Sequence, residues 1–156
     1  CLAVLEQMVA PGMTVLDIGS GSGILSVAAV LLGAAQATGV DIDPVAVKVA
    51  RENAVLNDVS EKTRYLVGDL DDCVSGRFDI VVANIVADVI IRLCDSVEGL
   101  MKPDGYFLCS GIIDQRAGEV ERALVGHGFV TVQKREENGW TAFLVKKSDG
   151  VGGHQE

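Results

Sequence analysis

Three glycines and one carboxylate lie close together near the start of the chain, in the stretch Val15–Gly23 (VLDIGSGSG). The apolar residues around Asp17 are typical of a buried β-strand, and the residues after Gly23 are typical of an apolar helix. A glycine-rich turn between a strand and a helix lets the backbone approach a nucleotide-type ligand closely. The stretch therefore predicts a ligand site at the carboxyl end of this strand.

The glycine spacing and the carboxylate indicate the kind of ligand. A dinucleotide fingerprint needs Gly-x-Gly-x-x-Gly, but counting from Gly19 places Ile24 at the third glycine position, and counting from Gly21 places Ser26 there. Asp17 would repel a phosphate and would attract a positive charge, such as the ammonium of S-adenosylmethionine (SAM). We therefore expect SAM rather than NAD, with Asp17 facing the ammonium and both glycines against the methionine half. The alternative is a structural turn in which Asp17 only caps the following helix.

Two further acids end predicted strands and could hold the adenosine half of the cofactor. Asp41 follows the glycines by about 20 residues, where a carboxylate can accept both ribose hydroxyls, and Ile42 would cover one face of the adenine. Asp69 could accept the exocyclic amine of adenine, while the backbone of Leu70 contacts the ring. A Gly-Asp pair such as Gly68-Asp69 is by itself an ordinary turn, so only its place in the strand order supports this role.

Asn84 ends the fourth predicted strand and is the candidate catalytic residue. Polar side chains at strand ends beside a topological switch point commonly contact ligands. The Asn84 amide oxygen could accept a hydrogen bond from an amine substrate while bordering the cofactor. Asn84 could also, or only, cap the helix that follows it.

Helical and strand patterns alternate along the chain, which predicts an α/β fold with a largely parallel sheet. Asn138-Gly139 predicts a tight hairpin between the last two strands, Pro103–Gly105 predicts a turn, and Asp43 and Asp114 are expected helix caps. The predicted helices cover residues 2–9, 24–32, 44–56, 86–100 and 114–125, and the predicted strands cover 14–18, 37–42, 63–67, 78–83, 106–109, 129–135 and 141–146.

The composition limits the classes of partner. The 156 residues suffice for one domain, and a net charge of −9 disfavours nucleic acid as the main partner. The acidity either attracts a basic protein or only keeps the domain soluble. No apolar run reaches the ~20 residues that cross a bilayer, so we expect no membrane partner.

The remaining reactive side chains suggest no second site. The four cysteines form no Cys-x-x-Cys pair and only two histidines are present, so we expect no metal site. The cysteines are expected to be buried thiols in a reducing, cytoplasmic setting. His127 and His154 have no evident partner, and Trp140 and Phe143 are expected to be packing residues rather than a platform for stacking nucleobases.

Five stretches together resemble class I SAM-dependent methyltransferases, and more closely the PrmA family, whose members methylate ribosomal protein L11. The glycine motif is specific only to the superfamily, whereas the ANI and SGI segments narrow the resemblance to the family. The stretches are Val15–Ala29 (VLDIGSGSGILSVAA), Gly33–Ala46 (GAAQATGVDIDPVA), Val81–Ala87 (VVANIVA), Leu108–Ile113 (LCSGII) and Gly139–Lys147 (GWTAFLVKK).

The resemblance implies a Rossmann-like seven-stranded sheet of order 3-2-1-4-5-7-6. It also implies transfer of methyl groups from SAM to lysine and N-terminal amines of a basic ribosomal protein, with S-adenosylhomocysteine as the product. It places Asn84 at the catalytic mouth and residues 110–112 in a nearby loop. It also implies a catalytic domain over 1–147, a flexible tail over 148–156, and a family N-terminal substrate-binding domain that these residues lack. Two alternatives are a methyltransferase for another protein or a small molecule, and a SAM-binding module without catalysis.

Overall fold

The computed structural model describes residues 1–69 and 74–148. The strands form one seven-stranded sheet of order β3-β2-β1-β4-β5-β7-β6. The strands are β1 (Thr14–Ile18), β2 (Gln36–Asp41), β3 (Thr63–Val67), β4 (Phe78–Asn84), β5 (Met101–Ile113), β6 (Phe129–Glu137) and β7 (Trp140–Lys147). The α-helices in the described ranges are α1 (Leu2–Met8), α2 (Ile24–Leu31), α3 (Pro44–Leu56), α4 (Ala87–Leu93) and α5 (Asp114–Gly126), and short 3-10 turns cover Ser60–Lys62 and Val97–Leu100.

The pairing of the strands confirms the predicted fold class and strand order. The pairs β1–β2, β2–β3, β1–β4 and β4–β5 are parallel, and β7 runs antiparallel to both β5 and β6. Asn138 and Gly139 have φ of 53° and 85°, which is the backbone that a tight two-residue hairpin requires. The chain passes from β1 to β2 on one side and later to β4 on the other, so the carboxyl ends of β1 and β4 border the topological switch point.

Helices cover both faces of the sheet, because the central strands are apolar on both sides. On one face, α1, α2 and α3 pack against residues such as Val15 and Val82. On the other face, α4 and α5 pack against residues such as Leu16 and Phe107. The two cores hold the sheet between the helices, and the site lies at the carboxyl ends of its central parallel strands.

One predicted helix is shorter than expected. The pattern predicted a helix over 86–100, but α4 ends at Leu93 and a turn leads into the 3-10 segment Val97–Leu100. Ser96 donates its backbone N–H to the Leu93 carbonyl. Asp95 and Ser96 favour such local turns over a continuous helix, which explains the break.

Strand β5 is longer than predicted and contains two irregularities. The predicted turn at Pro103–Gly105 lies inside β5 as an insertion opposite Asp79, since proline lacks the N–H that a regular ladder needs. Nearer the site, Ser110 and Gly111 oppose one residue of β7, so the predicted loop over 110–112 is a β-bulge.

The two predicted caps have different outcomes. Asp43 is confirmed as the N-cap of α3, because its Oδ1 accepts the backbone N–H of Val45 at 2.9 Å. The prediction for Asp114 was wrong. Asp114 is the first residue of α5, and its Oδ1 accepts the hydroxyl of Thr141 at 2.7 Å. Among the described helices, each is too short or too polar to span a bilayer.

Candidate functional site

A cleft of about 610 Å³ opens at the carboxyl ends of β1 and β4. It brings together four of the residues singled out from the sequence, namely Asp17, Gly19, Gly21 and Asn84. The remaining lining residues come from the start of α1, the glycine loop, the start of α2 and β5, and are Cys1, Leu2, Ala3, Ser20, Ser22, Ile24, Leu25 and Ser110.

Asp17 is a buried carboxylate at the floor of this cleft, with 1% of its surface exposed. Burial is the main reason that the pKa of Asp17 rises to about 7, while a hydrogen bond from the Ser26 backbone lowers it and the nearby Asp41 raises it. The Oδ2 atom has no hydrogen-bond partner in the part of the chain that the structure describes. A buried carboxylate with a spare oxygen is costly, and a cation in the cleft would satisfy it. The N-cap of α2 is Gly23 and no side-chain cap hydrogen bond is formed there, so the alternative in which Asp17 only caps the following helix is wrong.

Two glycines shape the wall of the cleft above Asp17. Gly19 has φ of 68°, and a Cβ built on it would lie 2.7 Å from the Ile85 side chain. Gly21 has φ of 53°, and a Cβ there would meet no described atom within 4 Å. The first glycine is therefore required by packing, and the second leaves its backbone open to a ligand.

The three described residues predicted for adenosine lie outside the lining of the cleft, at the ends of β2 and β3. Asp41 accepts the backbone N–H of Gly21 and that of Asp43, both at 2.9 Å. Ile42 is 75% exposed and Asp69 is exposed as well. Leu70 lies outside the described residues. The exposed Ile42 leaves an apolar surface beside the Asp41 carboxylate, where a nucleoside could lie.

Asn84 lies at the end of β4, exposed to the cleft. Its Oδ1 accepts a hydrogen bond from the Ser110 hydroxyl at 3.2 Å. The alternative role as a helix cap is wrong, because Val86 occupies the N-cap position of α4. A Cβ built on Gly111 would lie 2.7 Å from the same oxygen, so the β5 bulge needs glycine to leave room for Asn84.

The sequence pattern did not reveal that the start of α1 lines the cleft. Cys1, Leu2 and Ala3 border it together with the glycine loop. These residues precede the motif and carry no polar side chain, so no signal in their types connected them with a ligand.

Two aromatic or basic residues that were set aside have different surroundings from those expected. Trp140 is 53% exposed, so this predicted packing residue is only partly packed, whereas Phe143 is fully buried. His127 has partners: its ring nitrogens lie 2.7 Å from the Ala123 carbonyl and from the Asp95 carboxylate. Those two bonds raise the pKa of His127. It joins the ends of α4 and α5, away from the cleft.

Two of the three described cysteines are buried free thiols. Cys94 and Cys109 are buried as expected, and burial raises the pKa of the Cys94 thiol to about 11 and that of Cys109 still further. Cys1 is half-buried at the cleft, and Cys73 is outside the described ranges. Across residues 1–69 and 74–148, no three His, Cys, Asp or Glu side chains are grouped to hold a metal ion.

The geometry fits a ligand with a cationic part and a nucleoside part. The buried Asp17 carboxylate that lines the cleft and the open backbone at Gly21 suit an ammonium there. Asp41 and Ile42 offer a carboxylate and an apolar surface farther along the same edge. SAM and S-adenosylhomocysteine have these two parts, so the residues present fit the predicted cofactor.

Comparisons with known proteins agree with this geometry. The family model described as "Ribosomal protein L11 methyltransferase (PrmA)" matches residues 1–148. The ribosomal protein L11 methyltransferase of Desulfitobacterium hafniense is 49% identical over 90% of this chain, and that of Bacillus licheniformis is 46% identical over 94%. The chain covers 45% and 47% of those two proteins, so it spans about half the length of these relatives.

A solved structure gives the same result. The ribosomal protein L11 methylase of Lactobacillus delbrueckii subsp. bulgaricus superposes with a TM-score of 0.89 at 32% identity, covering 94% of this chain and 77% of that one. The family match extends over every described residue and includes the glycine loop, Asn84 and the β5 bulge. The chain therefore belongs to the ribosomal protein L11 methyltransferase (PrmA) family of SAM-dependent methyltransferases.

Proposed function

We propose that this chain is the catalytic part of a SAM-dependent N-methyltransferase that modifies ribosomal protein L11 on lysine side chains and the N-terminal amine. The observation that carries the proposal is the placement of two side chains in one cleft. Asp17 lines the cleft with a buried carboxylate, one oxygen of which has no hydrogen-bond partner among the described residues, and Asn84 lines it with an exposed amide. A cofactor ammonium and an acceptor amine could therefore be held in the same cavity.

Different site residues contact the methionine half of the cofactor, its adenosine half and its transferable methyl group. Asp17, Gly19 and Gly21 hold the methionine half of the cofactor, and the adenosine half lies along Asp41, Ile42, Asp69 and Leu70. Bound SAM supplies a methyl group on a positively charged sulfur. Asn84 borders that group because it lies at the end of β4, next to the end of β1 in the sheet.

The acceptor must lose a proton before it can react. A free lysine has a pKa of ~10.4, so making it neutral near pH 7.5 costs about 4 kcal/mol. Desolvation in the cleft and a nearby positive charge both lower the pKa of the amine. Asn84 Oδ1, which now accepts the Ser110 hydroxyl, would accept an amine N–H and orient the nitrogen lone pair. Positioning of this kind is the main contribution that the protein can make to a methyl transfer.

The substrate follows from the family and from charge. The proteins of Desulfitobacterium hafniense and Bacillus licheniformis are described as ribosomal protein L11 methyltransferases. The chain carries a net charge of −9, which favours association with a basic protein over nucleic acid or an anionic membrane surface. We place the reaction in the cytoplasm, where ribosomal proteins are made.

The extent of the catalytic domain is part of the proposal. We assign it to residues 1–147, since β7 ends at Lys147, and we assign 148–156 to a tail. The two relatives named above are about twice as long as the chain. We assign recognition of the protein substrate to the part of such proteins that lies outside the match.

The test is a methyl-transfer assay on a chimaeric protein, called the graft below. This chain replaces the matching segment of the Desulfitobacterium hafniense protein, and transfer of labelled methyl groups from SAM to ribosomal protein L11 is measured. A folded graft that binds SAM but leaves the ribosomal protein unlabelled would favour another acceptor or a module without catalysis.

The Asn84→Ala variant tests the catalytic role within that graft. Its rate should fall at least about tenfold, or ~1.4 kcal/mol in barrier height, with S-adenosylhomocysteine affinity nearly unchanged, because a positioning loss appears in kcat. Asn57→Ala is the matched control, since Asn57 caps α3 outside the cleft. A full rate in Asn84→Ala would remove the catalytic role, and a joint loss of binding and rate would place Asn84 in the cofactor pocket.

A further inference from the structure

Asp17, Gly39 and Tyr65 form one row across the first three strands of the sheet. Gly39 is directly opposite Asp17 in β1 and directly opposite Tyr65 in β3. Residues paired in this way point to the same face of a sheet. The Asp17 and Tyr65 side chains therefore share a face, with no side chain between them.

The Tyr65 ring occupies the space that Gly39 leaves. A Cβ built on Gly39 would lie 2.6 Å from the ring atom Cδ1 of Tyr65 and 3.0 Å from the Cβ of Ser20. Tyr65 is 4% exposed, so the ring is enclosed beneath the glycine loop. Any side chain at position 39 would push this ring away from Asp17.

The Tyr65 hydroxyl reaches the end of the glycine loop. It lies 2.7 Å from the Ser26 hydroxyl, which in turn donates to the Gly23 carbonyl at 3.0 Å. Because Ser26 gives its proton to Gly23, Tyr65 is the donor in the first bond. A Cβ on Gly23 would lie 3.0 Å from the same tyrosine oxygen, so the loop and the hydroxyl are in direct contact.

Ser26 connects this contact to the cleft. Its side chain bonds Tyr65 and Gly23, and its backbone N–H lies near enough to the Asp17 carboxylate to lower the pKa of that group. Ser26 is fully buried, so the two bonds of its hydroxyl are shielded from water and are stronger than surface bonds. A movement of Ser26 would therefore shift the first turn of α2 and the orientation of Asp17 together.

We propose that Tyr65 is a positioning residue of the cofactor site, acting through Ser26 to hold the glycine loop and the Asp17 carboxylate in the geometry that binds the cofactor ammonium. Tyr65 does not line the cleft itself. The inference rests on the proposed function, because it takes Asp17 as the ammonium partner. In this proposal the Asp17 carboxylate on β1 is pre-organised by Tyr65, which lies two strands away on β3.

Calorimetric titration of the 156-residue chain with S-adenosylhomocysteine tests the proposal. Tyr65→Phe keeps the ring against Gly39 and removes only the hydroxyl, and it should weaken affinity about threefold to tenfold, the effect of one buried hydrogen bond. Ser26→Ala should weaken affinity similarly. The double variant should bind no more weakly than the weaker single variant, because both changes break one connection.

Tyr106→Phe is the matched control, since Tyr106 is the other tyrosine of the chain and lies on β5. It should leave the affinity unchanged. Amide hydrogen exchange measured by NMR is a readout that does not depend on the ligand. The exchange rate of the Ser26 amide should be higher than wild type in Tyr65→Phe and unchanged in Tyr106→Phe. Urea unfolding shows that each variant is folded.

The outcomes separate this inference from the proposed function. Three outcomes would overturn the positioning role and leave the cofactor assignment intact. They are a wild-type affinity in Tyr65→Phe, a loss of affinity in Tyr106→Phe as large as that in Tyr65→Phe, and additive losses of affinity in the double variant. A folded wild-type chain that does not bind S-adenosylhomocysteine would overturn the cofactor assignment and the positioning role with it.

Discussion

The Asp41 carboxylate accepts the backbone N–H of Gly21 at 2.9 Å, so the end of β2 is tied directly to the glycine loop that follows β1. The other carboxylate oxygen accepts the N–H of Asp43. Asp41 therefore has a structural task in addition to the ribose contact predicted for it. Each oxygen retains acceptor capacity for a ligand hydroxyl, so the two roles are compatible.

Replacing Asp41 by alanine should weaken S-adenosylhomocysteine binding by about 1–3 kcal/mol, because hydrogen bonds to a carboxylate are lost and Gly21 is released. Asp43→Ala is the control. It removes the cap of α3 and should lower stability by about 1 kcal/mol while affinity changes little. Calorimetric titration and urea unfolding of both variants give the comparison, and an unchanged dissociation constant in a folded Asp41→Ala would remove Asp41 from the cofactor site.

Cofactor affinity should depend on pH through Asp17. Burial raises the pKa of this carboxyl from 3.8 to about 7, and only the ionised form attracts an ammonium. Affinity for S-adenosylhomocysteine should therefore increase as the pH rises through about 7. Asp17→Asn should bind more weakly at pH 8 and should lose most of this dependence, as measured by titrations between pH 5.5 and 8. A wild-type affinity that is flat over this range would contradict the assignment of Asp17 to the ammonium.

The same raised pKa predicts an unusual stability profile for the ligand-free chain. Between pH 3.8 and about 7 the folded state holds a proton on Asp17 that the unfolded chain has released, so this group makes the fold less stable as the pH rises through that window. Asp17→Asn should therefore unfold at a higher temperature than the wild type at pH 8, and the difference should shrink at pH 5. Calorimetric unfolding at both pH values measures it, and equal melting temperatures at pH 8 would contradict the prediction.

The β5 bulge should be essential for the placement of Asn84. In Gly111→Ala the added Cβ would lie 2.7 Å from Asn84 Oδ1 and 3.1 Å from the Ile85 carbonyl, so Asn84 must move and the methylation rate of the graft should fall about tenfold or more. Gly12→Ala is the control: Gly12 has φ of 90° against 82° for Gly111, but its Cβ would meet no described atom within 4 Å. Equal rates in these two variants would show that the Asn84 position is not set by the bulge.

Local patterns predicted the elements of this fold because its strands and helices differ clearly in periodicity. Asp17 and Asn84 are polar residues near the carboxyl ends of apolar strands. The strand pattern therefore also predicted that they lie at one end of the sheet. Long-range side-chain contacts were not accessible in this way. The bonds of Tyr65 to Ser26 and of His127 to Asp95 join residues 39 and 32 positions apart, and nothing in the residue types specified these partners.

Edge positions were the least predictable. Trp140 begins β7 and pairs with Ile113 at the end of β5, where both side chains are exposed. An aromatic residue beside an apolar strand has the same local pattern whether it faces the core or the solvent. Its location depends on where the neighbouring strand ends, which is a property of the assembled sheet.

The most direct test of the account is calorimetric titration of the 156-residue chain with S-adenosylhomocysteine, SAM and NAD at pH 8. We expect one molecule of S-adenosylhomocysteine to bind per chain, SAM to compete for the same site, and NAD to show no measurable binding, because Asp17 and the glycine spacing disfavour a diphosphate. Tighter binding of NAD than of S-adenosylhomocysteine by the folded chain would contradict the account.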